Sequence, residues 1–113
     1  MDDLLVERVL RAVDQVPPGR VVSYGDLAAL VGTGPRQVGA VLRDWGSGVA
    51  WWRVTNRDGD LPGELLGRAS THWEAEGIGL RATGRGCRFA EHRADLAILA
   101  HDYARAVGDL HAP

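Results

Sequence analysis

Between residues 21 and 43 the chain reads Val21-Val22-Ser23-Tyr24-Gly25-Asp26-Leu27-Ala28-Ala29-Leu30-Val31-Gly32-Thr33-Gly34-Pro35-Arg36-Gln37-Val38-Gly39-Ala40-Val41-Leu42-Arg43. Ser23, with Asp26 three residues on, is the signature of a capping box at a helix start. Leu27, Ala28, Leu30 and Val31 give that helix an apolar side, and Gly32-Thr33-Gly34 ends it in a tight turn. Pro35 suits the first turn of a following helix, where a missing N–H costs nothing. The spacing predicts this helix from about Pro35 to Asp44. Val38, Val41 and Leu42 face inward; Arg36, Gln37, Ala40 and Arg43 lie elsewhere on its surface, and Gly39 marks a close approach. Two short helices joined by a Gly-containing turn make a helix-turn-helix, whose second helix is the one that lies along a DNA groove. The same pattern also serves plain helical packing.

Working outward, Asp2 to Val16 carries Leu5, Val9, Ala12, Val13 and Val16 at helical spacing, and Pro17-Pro18-Gly19 stops it. Arg20 to Ser23 reads as extended. Downstream, Trp45-Gly46-Ser47-Gly48 reads as a flexible joint and Val49 to Thr55 as a strand. Asn56 to Asp60 is a turn whose Asp58-Gly59 pair signals a hairpin, as in the wing of a winged helix. Gly67 to Glu76 is predicted helical, Ile78 to Thr83 a strand, and Glu91 to Val107 one long helix with Leu96, Leu99, Ala100, Tyr103, Ala104 and Val107 on its apolar face. The fold class expected is mainly α with a small β element, in a single domain spanning residues 1–113.

The composition narrows the function classes. At 113 residues, 45% hydrophobic and 25% charged, the chain fits a globular domain. One cysteine, Cys87, excludes an internal disulfide and a zinc site of several thiolates. No apolar run approaches the ~20 residues of a membrane span, and the acidic Met1-Asp2-Asp3 start lacks the basic region of a secretory signal; a cytoplasmic monomer is expected. The net charge of −2 argues against a broadly electrostatic nucleic-acid binder. Yet all 13 basic residues are arginine, the side chain suited to phosphates, base edges and stacking. Residues 19–90 hold nine of them against seven acids, so an anionic partner would meet the middle of the chain.

Catalytic constellations are sparse. His72, His92, His101 and His111 include no pair at the i, i+4 spacing of a helical metal site, so no metal is expected. Cys87 has no base beside it and reads as a small apolar residue. There is no G-x-S-x-G, no phosphate loop and no dinucleotide fingerprint, so no cofactor is expected. The unusual feature is Ala50-Trp51-Trp52-Arg53-Val54. On a strand, adjacent tryptophans point to opposite faces. One can be core while the other offers a flat base a stacking platform; alternatively both are core.

These residues carry a resemblance. Val21 to Gly32 resembles the entry to the DNA-binding domain of the alkylguanine-DNA alkyltransferases, and Pro35 to Arg43 resembles that family's recognition helix. Ala50-Trp51-Trp52-Arg53-Val54 stands where those enzymes carry Pro-Cys-His-Arg-Val. The resemblance covers residues 4–58 well, and Trp73-Glu74-Ala75-Glu76-Gly77-Ile78 is similar to the ending of the alkyltransferase-like proteins. It implies a winged helix-turn-helix of the alkyltransferase C-terminal type. Trp51 replaces the acceptor cysteine and Trp52 the activating histidine, so no enzyme is implied, because an indole cannot act as the thiolate nucleophile.

The implied function is that of the alkyltransferase-like proteins. They flip a 6-O-alkylguanine from duplex DNA, hold it without repair and mark it for nucleotide excision repair, with repair proteins as further partners. By that resemblance Arg36 is the finger that fills the vacated stack, and Tyr24 drives rotation at the 3′ phosphate. Trp51, Trp52, Arg53 and Tyr24 form the lesion pocket. Gln37, Gly39 and Ala40 lie on the helix that enters the minor groove, and Ser23, Thr33 and Arg43 contact phosphates. Ala50 and Trp52 depart from the proline and the polar residue that most such proteins keep. Two other readings stay open: a winged-helix module without lesion specificity, and alkyl transfer to Cys87. Read without the resemblance, Arg53 suits an ion pair with Asp58 or Asp60. A pocket beside Trp51 large enough for a base separates lesion sensing from the plain module.

Overall fold

The computed structural model describes residues 2–110, so His111 lies outside the described residues. Helix α1 spans Asp3–Asp14, with the Asp2 carboxylate accepting from the Leu4 N–H as its N-cap. Strand β1 (Val22–Ser23) leads directly into α2 (Tyr24–Val31). The capping box is present: Ser23 Oγ accepts from the Asp26 N–H (2.9 Å), and the Asp26 carboxylate accepts from the Ser23 N–H (3.0 Å). Gly32, at φ +88°, closes α2 in the left-handed region, where a side chain would be strained. Helix α3 then runs Pro35–Trp45.

Val9, Val13, Leu27, Val38, Val41 and Val54 fill the main core, where α1, α2 and α3 meet. A second, smaller core contains Val21, Leu61, Ala69, Trp73, Ile78 and Cys87. Tyr24 packs against both. Strand β2 (Val54–Thr55) pairs in parallel with β1, Val22 opposite Val54 and Ser23 opposite Thr55.

Several expectations need correction. The strand over Val49 to Thr55 shrinks to β2, and Trp51–Arg53 is a 3-10 turn instead. The ladder cannot extend further along β1, because α2 begins at the next residue. The Trp45–Gly48 joint is likewise an ordered 3-10 turn over Gly46–Gly48, with Trp45 ending α3 at 56% exposure. Asp58-Gly59 does not turn a hairpin between neighbouring strands, since β2 pairs in parallel with β1. Its turn is closed by the Asn56 carboxamide, which accepts from the Asp58 and Asp60 N–H groups (both 2.9 Å). The stretch Ile78 to Thr83 contributes a single bridge, Leu80 to Cys87, beside Asp60 to Gly86.

Helix α4 (Gly63–Glu76) starts four residues earlier than expected. The long C-terminal helix is two, α5 (Phe89–His92) and α6 (Leu96–Ala106). After His92 the chain leaves the helix and bonds to the residue just before β1: the Val21 N–H donates to His92 C=O and the Ala94 N–H to Val21 C=O, each at 2.9 Å. Asp95 then caps α6. Leu99, Tyr103 and Val107 are buried, whereas Leu96, Ala100 and Ala104 of the expected apolar face are exposed.

Gly59 presses on the far turn. At φ +86°, a Cβ placed there would sit 2.3 Å from the Cys87 carbonyl oxygen. Gly84, at φ +73°, has nothing within 4 Å. Gly84→Ala should therefore carry only the left-handed strain, roughly 1–2 kcal/mol. Gly59→Ala should cost a further ~1–3 kcal/mol of overpacking, lowering the melting temperature by roughly another 4–8 °C per kcal/mol. Equal melting temperatures for the two variants would contradict this packing.

Candidate nucleic-acid interface

An open cleft of about 910 Å³ lies between α3 and the start of α4, within the ~300–1,000 Å³ range of ligand sites. Pro35, Arg36, Gly39, Leu42 and Arg43 form its α3 wall. Leu61, Leu65 and Arg68 form the opposing wall, and Tyr24 and Trp51 also line it. The lining combines apolar side chains with three arginines, Arg36, Arg43 and Arg68, and two carboxylates, Asp60 and Glu64.

The helix-turn-helix sets the first wall. Tyr24 is the first residue of α2, held by the Ser23 cap; burial raises its phenol pKa, so it is neutral at physiological pH. Arg36 projects from the first turn of α3, exposed and in no ion pair among the described residues. A Cβ at Gly39 would meet nothing within 4 Å. No neighbour inside the chain therefore requires glycine there, although glycine costs a helix about 0.5–1 kcal/mol relative to alanine. Gln37 is exposed, and its carboxamide lies against Gly34. Among the described residues, Arg43 pairs only with its neighbour Asp44 (3.0 Å). That exposed pair is worth little, so the guanidinium can be given up to another anion.

Other expected site residues fall elsewhere. Ser23 is 3% exposed, its Oγ accepting from the Asp26 N–H in the helix cap, so burial keeps it from a phosphate outside. Thr33 and Ala40 are half-buried and do not line the cleft. Among the Trp51–Arg53 residues only Trp51 does. Trp52 and Arg53 turn instead to Glu76. The Trp52 indole N–H donates to Glu76 Oε2 (2.8 Å), and Arg53 donates Nε to Oε1 (3.0 Å) and Nη2 to Oε2 (2.8 Å). Arg53 Nη1 also donates to Val16 C=O (3.0 Å). The ion pair is therefore with Glu76, and not with Asp58 or Asp60. Asp60 pairs with Arg81.

Glu76 collects a third segment, accepting from the Gly19 N–H (2.9 Å). Burial alone would raise its carboxyl pKa; the bonds from Arg53, Gly19 and Trp52 outweigh that and hold it below the usual carboxylate range. A carboxylate in the last turn of a helix opposes the helix dipole, which was a signal in the sequence that Glu76 has a cationic partner. Arg68 and His72, from the same helix, join the site without any local signal in the sequence that pairs them with the indoles. The Arg68 guanidinium carbon sits 5.1 Å from a Trp51 ring centroid, and His72 stacks flat on Trp52 at 3.6 Å. Cys87 is fully buried, its thiol pushed up to about 11 by desolvation, and it does not line the cleft.

This arrangement is that of a winged helix-turn-helix DNA-binding fold with a cleft beside its second helix. Residues 5–78 match the family described as 6-O-methylguanine DNA methyltransferase, DNA binding domain. The chain is 39% identical over 90 residues to the DNA base-flipping protein of Escherichia coli, covering 74% of this chain and 70% of that protein. It is 36% identical over 91 residues to the DNA base-flipping protein of Vibrio parahaemolyticus, covering 75% and 90%. Its structure resembles S. pombe Atl1 in complex with damaged DNA containing O6-carboxymethylguanine, with TM-score 0.73 and 27% identity over 84% of this chain and 98% of that one. The chain belongs to the family of the 6-O-methylguanine DNA methyltransferase DNA-binding domain.

Because the folded state holds Glu76 ionised, its contribution is complete above the unfolded carboxyl pKa of ~4.3 and fades as pH falls through the lower folded value. Glu76→Gln strands the half-buried Arg53 and should cost roughly 2–3 kcal/mol at pH 7, somewhat less than a fully buried pair. Denaturant titrations should show the gap between wild type and variant narrowing below about pH 4. A gap independent of pH would remove the ion pair from the explanation.

Proposed function

We propose that this protein senses alkylated guanine in duplex DNA, turning the damaged base into the cleft beside Trp51 and holding it there without removing the alkyl group. The observation that carries this reading is the open cleft itself, bounded by α3 on one side and by Trp51, Leu61 and Leu65 on the other. The names of the relatives and the damaged DNA bound by Atl1 point the same way.

Helix α3 enters the minor groove, where Gly39 and Ala40 let the backbone approach. Arg36, free of any ion pair among the described residues, enters the stack and bonds to the orphaned cytosine. Tyr24 crowds the phosphate on the 3′ side of the flipped nucleotide. The Trp51 indole gives the alkyl group an apolar wall and the base a stacking surface. No transfer follows. By the resemblance, Trp51 and Trp52 stand where the enzymes carry cysteine and histidine; the protonated, buried Cys87 is outside the cleft. The lesion stays bound and intact, and the complex marks it for nucleotide excision repair proteins.

Fluorescence titration at fixed physiological salt tests this with two duplexes, one containing a single 6-O-methylguanine and the other guanine at the same position. At least tenfold preference for the lesion, ~1.4 kcal/mol, is expected, with the intact mass of the protein unchanged. Arg36→Ala should weaken lesion binding by about tenfold or more, ~1.4 kcal/mol. Equal binding of the two duplexes would make this a winged-helix module without lesion specificity. A mass gain of one alkyl group would make it a transferase.

A further inference from the structure

Behind Trp51 lies an aromatic layer that the binding step above does not use. Trp52 is its fixed member. Its indole N–H is held by Glu76 (2.8 Å), and its carbonyl accepts from the Trp73 indole N–H (2.7 Å). The His72 ring lies flat on it, with centroids 3.6 Å apart and planes 5° from parallel. Both rings then meet Trp51 at right angles. Trp52 stands 5.8 Å from it at 85°, and His72 stands 6.0 Å from it at 80°. Edge-to-face contact at these separations is the favoured geometry for aromatic pairs.

Helix α4 is what assembles this layer. Arg68, His72 and Glu76 follow one another at i, i+4 and i+8, so they share one face. Arg68 reaches Trp51, His72 touches both indoles and Glu76 holds Trp52. Of the three, only Arg68 lines the cleft. Trp51 has the open cleft on one side, so the orientation of its ring depends on what stands behind it.

We propose that His72 and Trp52 are positioning residues that set the pose of Trp51, and through it the discrimination between alkylated and normal guanine. This rests on the reading of the cleft as the lesion site. A flat partner at position 72 keeps the Trp51 ring presented to the flipped base. Without it the ring is free to tilt into the space that His72 leaves, and the alkyl group loses its wall. Affinity for undamaged duplex, which needs α3 and not Trp51, is left unchanged.

His72→Ala and His72→Phe test this, because alanine removes the ring and phenylalanine keeps a flat one. Two readouts separate the outcomes. In the free protein, the near-ultraviolet circular dichroism of the Trp51–Trp52 pair should change in His72→Ala and return in His72→Phe. In duplex titrations, the ratio of lesion to plain affinity should fall about fivefold in His72→Ala, ~1 kcal/mol. Plain-duplex affinity should stay within about twofold, ~0.4 kcal/mol, and His72→Phe should restore the ratio. An unchanged dichroism band in His72→Ala overturns the positioning role, whatever the DNA results. A changed band with an unchanged affinity ratio overturns the link to discrimination. A wild-type ratio of one overturns the lesion-site reading instead.

Discussion

The Glu76 carboxylate organises the cleft side of the molecule. It accepts hydrogen bonds from two places far apart in the chain: the Gly19 backbone after α1, and the adjacent Trp52 indole and Arg53 guanidinium. Each donor would be costly to leave partly buried and unpaired. Arg53 in turn carries the link on to the Val16 carbonyl, at the exit of α1. One side chain thereby fixes the Trp51–Arg53 turn against both α4 and the first helix. The tryptophan that faces the cleft sits on that turn, so its place is inherited from an ion pair it does not touch.

Around this hub the molecule has two cores rather than one. The larger serves the helix-turn-helix; the smaller holds Trp73, Leu61 and Cys87 under α4. Tyr24 spans the boundary between them. A residue at that seam is held by packing from both sides. The parallel β1–β2 pair is only two residues long, and it joins the strand before α2 to the strand after the tryptophan turn. The helix that would enter DNA and the wall that would receive the base are thus tied by a short ladder.

What could be read from the chain was mostly local. The capping box at Ser23 and Asp26, Gly32 at the end of α2 and Pro35 at the start of α3 each act within a few residues, and each is found where expected. The misread elements are those decided by distant partners. Ala50 to Arg53 has strand-like composition, but Glu76 and Trp73 draw it into a turn. Glu91 to Val107 has helical spacing, but Val21 needs partners for its N–H and C=O and takes them from residues 92 and 94. Arg36 and Trp51 line the cleft, whereas Trp52 and Arg53 turn away to Glu76, a partner that nothing local to them reveals. The four-residue spacing of Arg68, His72 and Glu76 was visible, but its meaning needed the indoles beside it.

Residues 92–94 bond to Val21, just before β1, and Arg93 adds an ion pair to Asp26, the carboxylate that closes the α2 capping box. This has a consequence for the order of folding. Val21 is fully buried, and both of its backbone groups bond to a segment about seventy residues further on. Closing so long a loop is entropically slow compared with forming α2 and α3 themselves. The helices are therefore expected to form before their leading strand is anchored by the far segment. The recognition surface, built from the most local signals in the chain, is completed by one of its least local contacts.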